Sequence, residues 1–277
     1  MTHPQHPSPE YVLGHSDAET RRLIIQNQLY GPTTRRLFTA AGIGAGMRVL
    51  DIGCGAGDVS LLLADLVGPR GQVVGVDMNP AILETARQRT AAAGWRNVSF
   101  EAGDARGRGY EGTFDAVVGR WVLMYIPEPV AMVRELAALL RPGGVIAFQE
   151  LDFTNPPGVI PPSELSTKLS NWIVPPPGAP GPDMRIGSKL LKVYVEAGLP
   201  RPDLTVETVA GGGVDWPGYA YLTETVRGLL PVLQRVFGVD AAALDVDTLE
   251  ARLREDITSR NAIQTLPTMF GAWARRS

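Results

Sequence analysis

Apolar positions along this chain recur with two different periods, and the two take turns. Short runs of aliphatic and β-branched residues occupy 47–52, 73–76, 97–101, 114–118 and 145–151. Between them apolar residues fall three or four apart, as in Val59, Leu62, Leu63 and Leu66. The first pattern predicts buried strands and the second amphipathic helices. Local signals mark the joins. Asn79-Pro80 supplies a helix cap and a first-turn proline, and Gly94 closes that helix. Pro127-Glu128-Pro129 opens the next helix, and Arg141-Pro142-Gly143-Gly144 turns into the fifth strand. Strands alternating with helices in this way predict an α/β fold with a mainly parallel, doubly wound sheet. The ligand crevice of such a sheet lies outside the carboxyl ends of its strands.

The flanks read differently. Ser16 and Glu19 form an S-x-x-E capping box that predicts a helix through Gln28; Gly31-Pro32 predicts a break, with a second helical piece over 33–41. Beyond the fifth strand, 152–184 is rich in proline, followed by a helix over 186–197 ended by Gly198 and a strand over 203–209. A second irregular stretch, 211–262, precedes a last strand over 265–274. Connections this long predict a lid or binding surface. The chain thus divides into 1–41 (arm and helices closing a site), 42–151 (cofactor-binding core) and 152–277 (remaining core with substrate-lid insertions).

Composition narrows the function. The 277 residues carry a formal net charge of −3, and no basic run exceeds an Arg-Arg pair. Nucleic-acid binding normally needs a basic stripe, so DNA and RNA are not the expected partners. Residues 1–10 contain no apolar signal-like run and no stretch reaches membrane-spanning length, so a soluble, cytoplasmic protein is expected, with no membrane partner. The single cysteine, Cys54, excludes an internal disulfide and reads as a packing residue. Histidine and cysteine never cluster, so no metal is expected. Arginine outnumbers lysine 23 to 3, a bias that fits a GC-rich bacterial genome and, loosely, secondary metabolism.

The chemistry concentrates in Val49-Leu50-Asp51-Ile52-Gly53-Cys54-Gly55-Ala56-Gly57-Asp58. A strand that breaks into a glycine loop and re-enters as a helix lets a ligand approach bare N–H groups. Asp77 ends the next strand, where a carboxylate can accept both hydroxyls of a ribose. Dinucleotide sites space their glycines G-x-G-x-x-G, whereas the spacing here is G-x-G-x-G with Asp51 just ahead of it. A fixed carboxylate there repels a pyrophosphate and suits the ammonium group of S-adenosylmethionine.

Four stretches in order, 49–58, 74–80, 100–104 and 114–125 with 140–150, make the chain resemble the class I S-adenosylmethionine-dependent methyltransferases. Within them it is most similar to bacterial small-molecule enzymes of the ubiquinone/menaquinone-biosynthesis type. The resemblance implies a Rossmann-like seven-stranded sheet with an antiparallel last strand, N-terminal helices, and a lid built from the insertions after the fifth and sixth strands. It implies that Gly53, Gly55 and Gly57 wrap the methionine tail and ribose, and that Asp51 holds the ammonium. It places Asp77 on the ribose, Met78 over adenine, Asp104 and the Ala105 N–H on the adenine edge, and Arg120 beside the cofactor. Tyr11, Gln26 and Tyr30 are further candidates for its carboxylate.

Methyl transfer from a sulfonium is an in-line displacement that chiefly needs alignment and exclusion of water. The histidines, His3, His6 and His15, all precede the first helix, and only His15 is a candidate base. Glu150 and Asp152 flank the end of the fifth strand as alternative bases or substrate acceptors. Arg120 is a candidate for stabilising an anionic acceptor. Trp121, Tyr125, Trp172 and Trp216 are candidates for lining a substrate pocket. Asn155-Pro156-Pro157 follows the fifth strand and lacks an aromatic, unlike the motif of amino-methylating nucleic-acid enzymes. The reading is methyl transfer to a small organic acceptor, with oxygen slightly favoured. Its alternatives are a protein that binds the cofactor without transferring its methyl, an NAD-dependent oxidoreductase, and a macromolecule methyltransferase. Oligomeric state is left open.

Overall fold

The computed structural model describes residues 17–174, 181–237 and 244–277. Tyr11 and His15, with His3, His6 and Ser16, lie outside them. Helix α1 (Asp17–Ala40) leads into β1 (Arg48–Ile52), α2 (Asp58–Val67), β2 (Gln72–Asp77), α3 (Pro80–Ala92), β3 (Val98–Ala102), β4 (Phe114–Arg120), α4 (Pro129–Ala138) and β5 (Leu140–Asp152). There follow β6 (Gly158–Ile160), α5 (Glu164–Ile173), α6 (Leu190–Glu196), β7 (Asp203–Gly211), α7 (Gly218–Phe237), α8 (Val246–Ser259) and β8 (Ile263–Arg275).

The first five strands are parallel in the order β3-β2-β1-β4-β5, and β8 runs antiparallel beside β5. β7 pairs along the far side of β8, completing the seven strands expected. An eighth, β6, adds a short antiparallel pairing where β8 extends past β5. Pro267 falls in the irregular pairing between Thr208↔Thr268 and Ala210↔Thr265, the kind of place where a strand tolerates a residue without an N–H.

Strand residues alternate between two cores, as a pleat requires. Leu50, Val74, Val117 and Ile146 face a cluster with α4, α6 and the helices of the insertions. Val49, Val73, Ala116 and Val145 face a second one with Leu62 and Leu63 of α2. Asn79 caps α3 by accepting from the Ala81 N–H, and Gly94 follows its end at φ +79°, both as the sequence predicts.

Two expectations need correction. Gly31-Pro32 does not break α1, which runs through Pro32 as one helix. Beside the proline, the Thr33 hydroxyl donates to the Tyr30 carbonyl at 2.7 Å, and the buried contacts of Leu29, Tyr30, Leu37 and Phe38 hold both halves in line. The stretch 211–262 is mostly helical. Its apolar positions Tyr219, Leu222, Val226 and Leu233, then Val246, Leu249, Leu253 and Ile257, keep helical spacing and are buried. Pro231 lies within α7 and masked that period in the sequence.

Candidate active site

The crevice forms at the switch point, where chain order reverses between β1 and β4. β1 ends at Ile52 opposite Gly119, which brings the glycine loop and Arg120 side by side. Gly53, Gly55 and Gly57 take φ values of +63°, +52° and +85°, a region that disfavours any side chain. A Cβ on Gly53 would lie 2.7 Å from Val122 Cγ2, whereas one on Gly55 would meet only open space. Cys54 is buried with Leu83, Ala86 and Phe100, and burial pushes its thiol up, as suits packing.

Asp51 is buried beneath this loop. Its Oδ2 accepts from Ser60 Oγ at 2.6 Å, and its Oδ1 has no partner. Burial raises its pKa to about 7, against the opposing Ser60 hydrogen bond and the charge of Arg120. Asp77, half-buried at the end of β2, accepts from the Gly55 N–H and the Asn79 N–H, each at 2.9 Å. These bonds fix its carboxylate while leaving lone pairs for ribose hydroxyls. Met78 beside it is 62% exposed and presents an apolar face. The orphaned Asp51 oxygen, the open backbone at Gly55 and the bare Met78 together fit a nucleoside carrying an ammonium tail.

At the third strand the fit is altered. The Asp104 carboxylate is paired with Arg106 at 2.5 Å, and Arg106 also reaches Glu135 at 2.7 Å. Burial raises the Asp104 pKa, but the bonds from Arg106 outweigh this and leave it lowered. An adenine amino group would share Asp104 with Arg106. Ala105 is buried next to it.

On the other side, α1 is clasped to the sheet. Thr34 Oγ1 donates to Gln149 Oε1 at 2.6 Å, and Gln149 Nε2 donates to Thr33 Oγ1 at 3.2 Å. Arg120 is buried by side chain as well as backbone, its Nη1 donating to Asn27 Oδ1 and Thr34 Oγ1 at 3.2 Å each. Gln26 is buried and accepts from Arg22 Nη1 at 2.8 Å. Tyr30 sits edge-on to Trp121 at 5.1 Å and to Tyr221 at 6.0 Å. Trp121 has φ +60°, unusual for a bulky residue, and its indole donates to Met269 Sδ at 3.1 Å.

The two acids ending β5 are engaged by backbone. Glu150 Oε1 accepts from the Val122 and Leu123 N–H groups at 3.0 and 2.9 Å, capping the turn Leu123–Tyr125 after β4. Burial raises this carboxyl to about 8. Asp152 accepts from the Thr154 and Ser188 N–H groups at 2.7 Å each; burial pushes it up, yet those bonds prevail and lower it. Tyr125 and Trp172 are partly buried against the main core. Trp216 fills the space over Gly211 and Gly218, where added Cβ atoms would meet its ring at 2.2 Å, and it packs edge-on to Tyr219. It packs against the first turn of α7.

Ser60, Tyr221 and the Thr33–Thr34–Gln149 clasp were not singled out from sequence. Only the helical period through Tyr221 could have pointed to one of them. Among the described residues no helix is long and apolar enough to cross a membrane, and no three metal-ligating side chains gather.

Known proteins resemble the chain in sequence and in fold. A methyltransferase-domain family matches residues 43–173. The demethylmenaquinone methyltransferase of Shouchella clausii is 31% identical over 190 residues, covering 61% of this chain and 77% of that protein. Aklanonic acid methyltransferase DauC of a Streptomyces species is 37% identical over 122 residues, covering 44% of this chain and 56% of that protein. The chain therefore spans just over half the length of DauC. A solved S-adenosylmethionine-dependent methyltransferase from Aquifex aeolicus superposes with a TM-score of 0.52 at 18% identity, over 70% of this chain and 94% of its own, a likeness of fold. The chain belongs to the class I S-adenosylmethionine-dependent methyltransferases. It is an enzyme of that class, and S-adenosylmethionine is its cofactor.

Proposed function

We propose that this enzyme methylates an oxygen atom of a small organic acceptor, in the manner of secondary-metabolite tailoring. The carrying observation is that both acids ending β5 are engaged by backbone N–H groups, Glu150 through Oε1 alone. Glu150 and Asp152 each hold two backbone N–H groups, and at neutral pH burial keeps most of Glu150 as the neutral acid. An acceptor that is already ionised needs no base, which favours a carboxylate, or a phenol or enol acidic enough to be ionised at neutral pH, over an alcohol or a carbon acid. The names of the relatives, aklanonic acid and demethylmenaquinone methyltransferases, support a small-molecule acceptor.

When bound, the cofactor supplies an electrophilic methyl on a sulfonium that leaves without protonation. In this reading Asp51 and the loop Gly53, Gly55 and Gly57 hold its amino-acid end, and Asp77 orients the ribose. Met78 and Ala105 border adenine, with Asp104 released in part from Arg106. Gln26 closes the site from the α1 side; Tyr11 and His15 lie outside the described residues. Arg120, Trp121 and Tyr125 face the acceptor, and Trp172 borders it from α5. Glu150 shapes the turn that presents Trp121 and Tyr125.

The test is incubation with methyl-labelled cofactor and matched phenol, carboxylic acid and amine panels. Demethylated cofactor formed in step with an O-methyl product is expected. Label on nitrogen or carbon would overturn the oxygen assignment, and tight cofactor binding without any transfer would favour a non-transferring member of the fold.

A further inference from the structure

The middle of α1 and the end of β4 hold two donors whose bonding is incomplete among the described residues. The Arg120 guanidinium is buried, yet Nη1 makes only two long bonds, both to neutral oxygens. No carboxylate of the described residues comes within ion-pair distance of it. Asp51 and Asp58 act on it from farther away, and Asp58 is itself held by Arg89 at 2.6 Å. A buried charge without a counter-ion is costly, and the cost is met when an anion binds beside it.

The second donor is Tyr30. Its ring is completely buried and its hydroxyl has no hydrogen-bond partner among the described residues. Buried hydroxyls almost always find one, so the exception needs an explanation, and a ligand oxygen is one. The setting is aromatic, with Trp121 and Tyr221 edge-on to the same ring. Arg22, bonded to Gln26 and 6.0 Å from the Tyr221 ring centroid, adds a further positive charge. Trp121 also carries the left-handed backbone noted above, and strain of this kind gathers where a site dictates the geometry.

We infer that Arg120 and Tyr30 together form a receptor for an anionic oxygen on an aromatic acceptor. The guanidinium provides the counter-charge, the phenol donates the second hydrogen bond, and Trp121 and Tyr221 flank the acceptor's ring. This rests on the oxygen-acceptor reading for its place in catalysis, but the binding preference it predicts is independent of where the methyl goes.

The experiment titrates the enzyme, loaded with S-adenosylhomocysteine, with isosteric pairs of one, two and three rings: benzoate and benzamide, 2-naphthoate and 2-naphthamide, and the corresponding anthracene pair. At least one carboxylate is expected to bind about 10- to 100-fold more tightly than its carboxamide. Arg120→Met should erase that preference while leaving S-adenosylhomocysteine affinity within about threefold, and Tyr30→Phe should weaken the carboxylate by about 3- to 10-fold. Tyr30→Phe removes a single oxygen, so it decides the matter should Arg120→Met fail to fold. No charge preference in any pair overturns the receptor. So does loss of S-adenosylhomocysteine binding in folded Arg120→Met, which would assign the guanidinium to the cofactor's carboxylate. Methylation of nitrogen or carbon with the charge preference intact would instead sink the oxygen-acceptor reading and leave the receptor standing.

Discussion

The two walls of the crevice are built on opposite terms. On the β1–β3 side, polar groups are largely committed before any ligand arrives: Asp77 holds two backbone N–H groups, Asp58 holds Arg89, and Ser60 secures one oxygen of Asp51. On the side roofed by α1 and α7, the Tyr30 hydroxyl is buried without a partner and Arg120 has no carboxylate beside it among the described residues. A wall set in advance costs little to organise when its ligand binds, which suits a cofactor shared across a whole class. A wall with open valences discriminates, because a ligand that fails to fill them leaves the penalty in place.

The contrast can be broken most directly at Asp77. Replacing it with alanine should cost cofactor affinity roughly 2–4 kcal/mol, measured by calorimetry with folding monitored by circular dichroism. Unchanged affinity in a folded variant would mean the ribose is held elsewhere. Glu150 gives the next largest effect. Its folded pKa of about 8 lies above its ordinary value of 4.5, so its contribution to stability is complete below that lower value and is lost as pH rises through 8. Glu150→Gln should therefore be more stable than the parent at pH 9, by roughly 2 kcal/mol in denaturant melts, with turnover retained. A variant that folds but cannot turn over would restore Glu150 as a base.

Asp51 sharpens the comparison through pH. Burial holds its carboxyl near 7, and an ammonium beside it favours the ionised form, so cofactor affinity should fall as pH drops below 7. The slope approaches about 1.4 kcal/mol per pH unit. Calorimetry from pH 5.5 to 8.5 would show it, and Asp51→Asn should flatten it; a parent with no slope would mean the ammonium sits away from this carboxylate. The smallest effect is expected at Tyr30. Removing an unpartnered buried hydroxyl should raise the stability of the ligand-free protein by about 1 kcal/mol in Tyr30→Phe. A loss of stability would show that the hydroxyl has a partner in solution.

These walls also differ in how far they could be read from sequence. The glycine loop, Asp77 and the cap at Asn79-Pro80 are local events, and each is spelled by adjacent residues. What lay out of reach depends on distant pairs. Nothing near Asp104 in the motif says that Arg106 will claim its carboxylate, and nothing near Gln149 says that Thr34 will meet it. Glu150 reads as a base or substrate acceptor because it ends a strand facing the crevice; its tie to the backbone of the turn beginning at Val122 is spelled by no neighbouring residue. Trp216 reads as a substrate contact from its place in an insertion; that the glycines at 211 and 218 make a bed for its ring is likewise a matter of distant pairs. Helix α7 was hidden by Pro231 and by the proline-rich stretch earlier in the chain.

Helix α1 is one rod with two allegiances. Leu37 and Phe38 belong to the core on the α2 face, and Thr33 and Thr34 clasp Gln149; Leu29 and Tyr30 belong to the core on the opposite face. At the join stands Pro32, which contributes no N–H to the helical ladder. The half before Pro32 carries Arg22, Gln26 and Tyr30 and packs on α7 through Tyr221, while the half after it is tied to the sheet. The groups that judge the substrate's charge are therefore set by α7, and the groups beside the cofactor by β5, so one helix carries the alignment of both ligands.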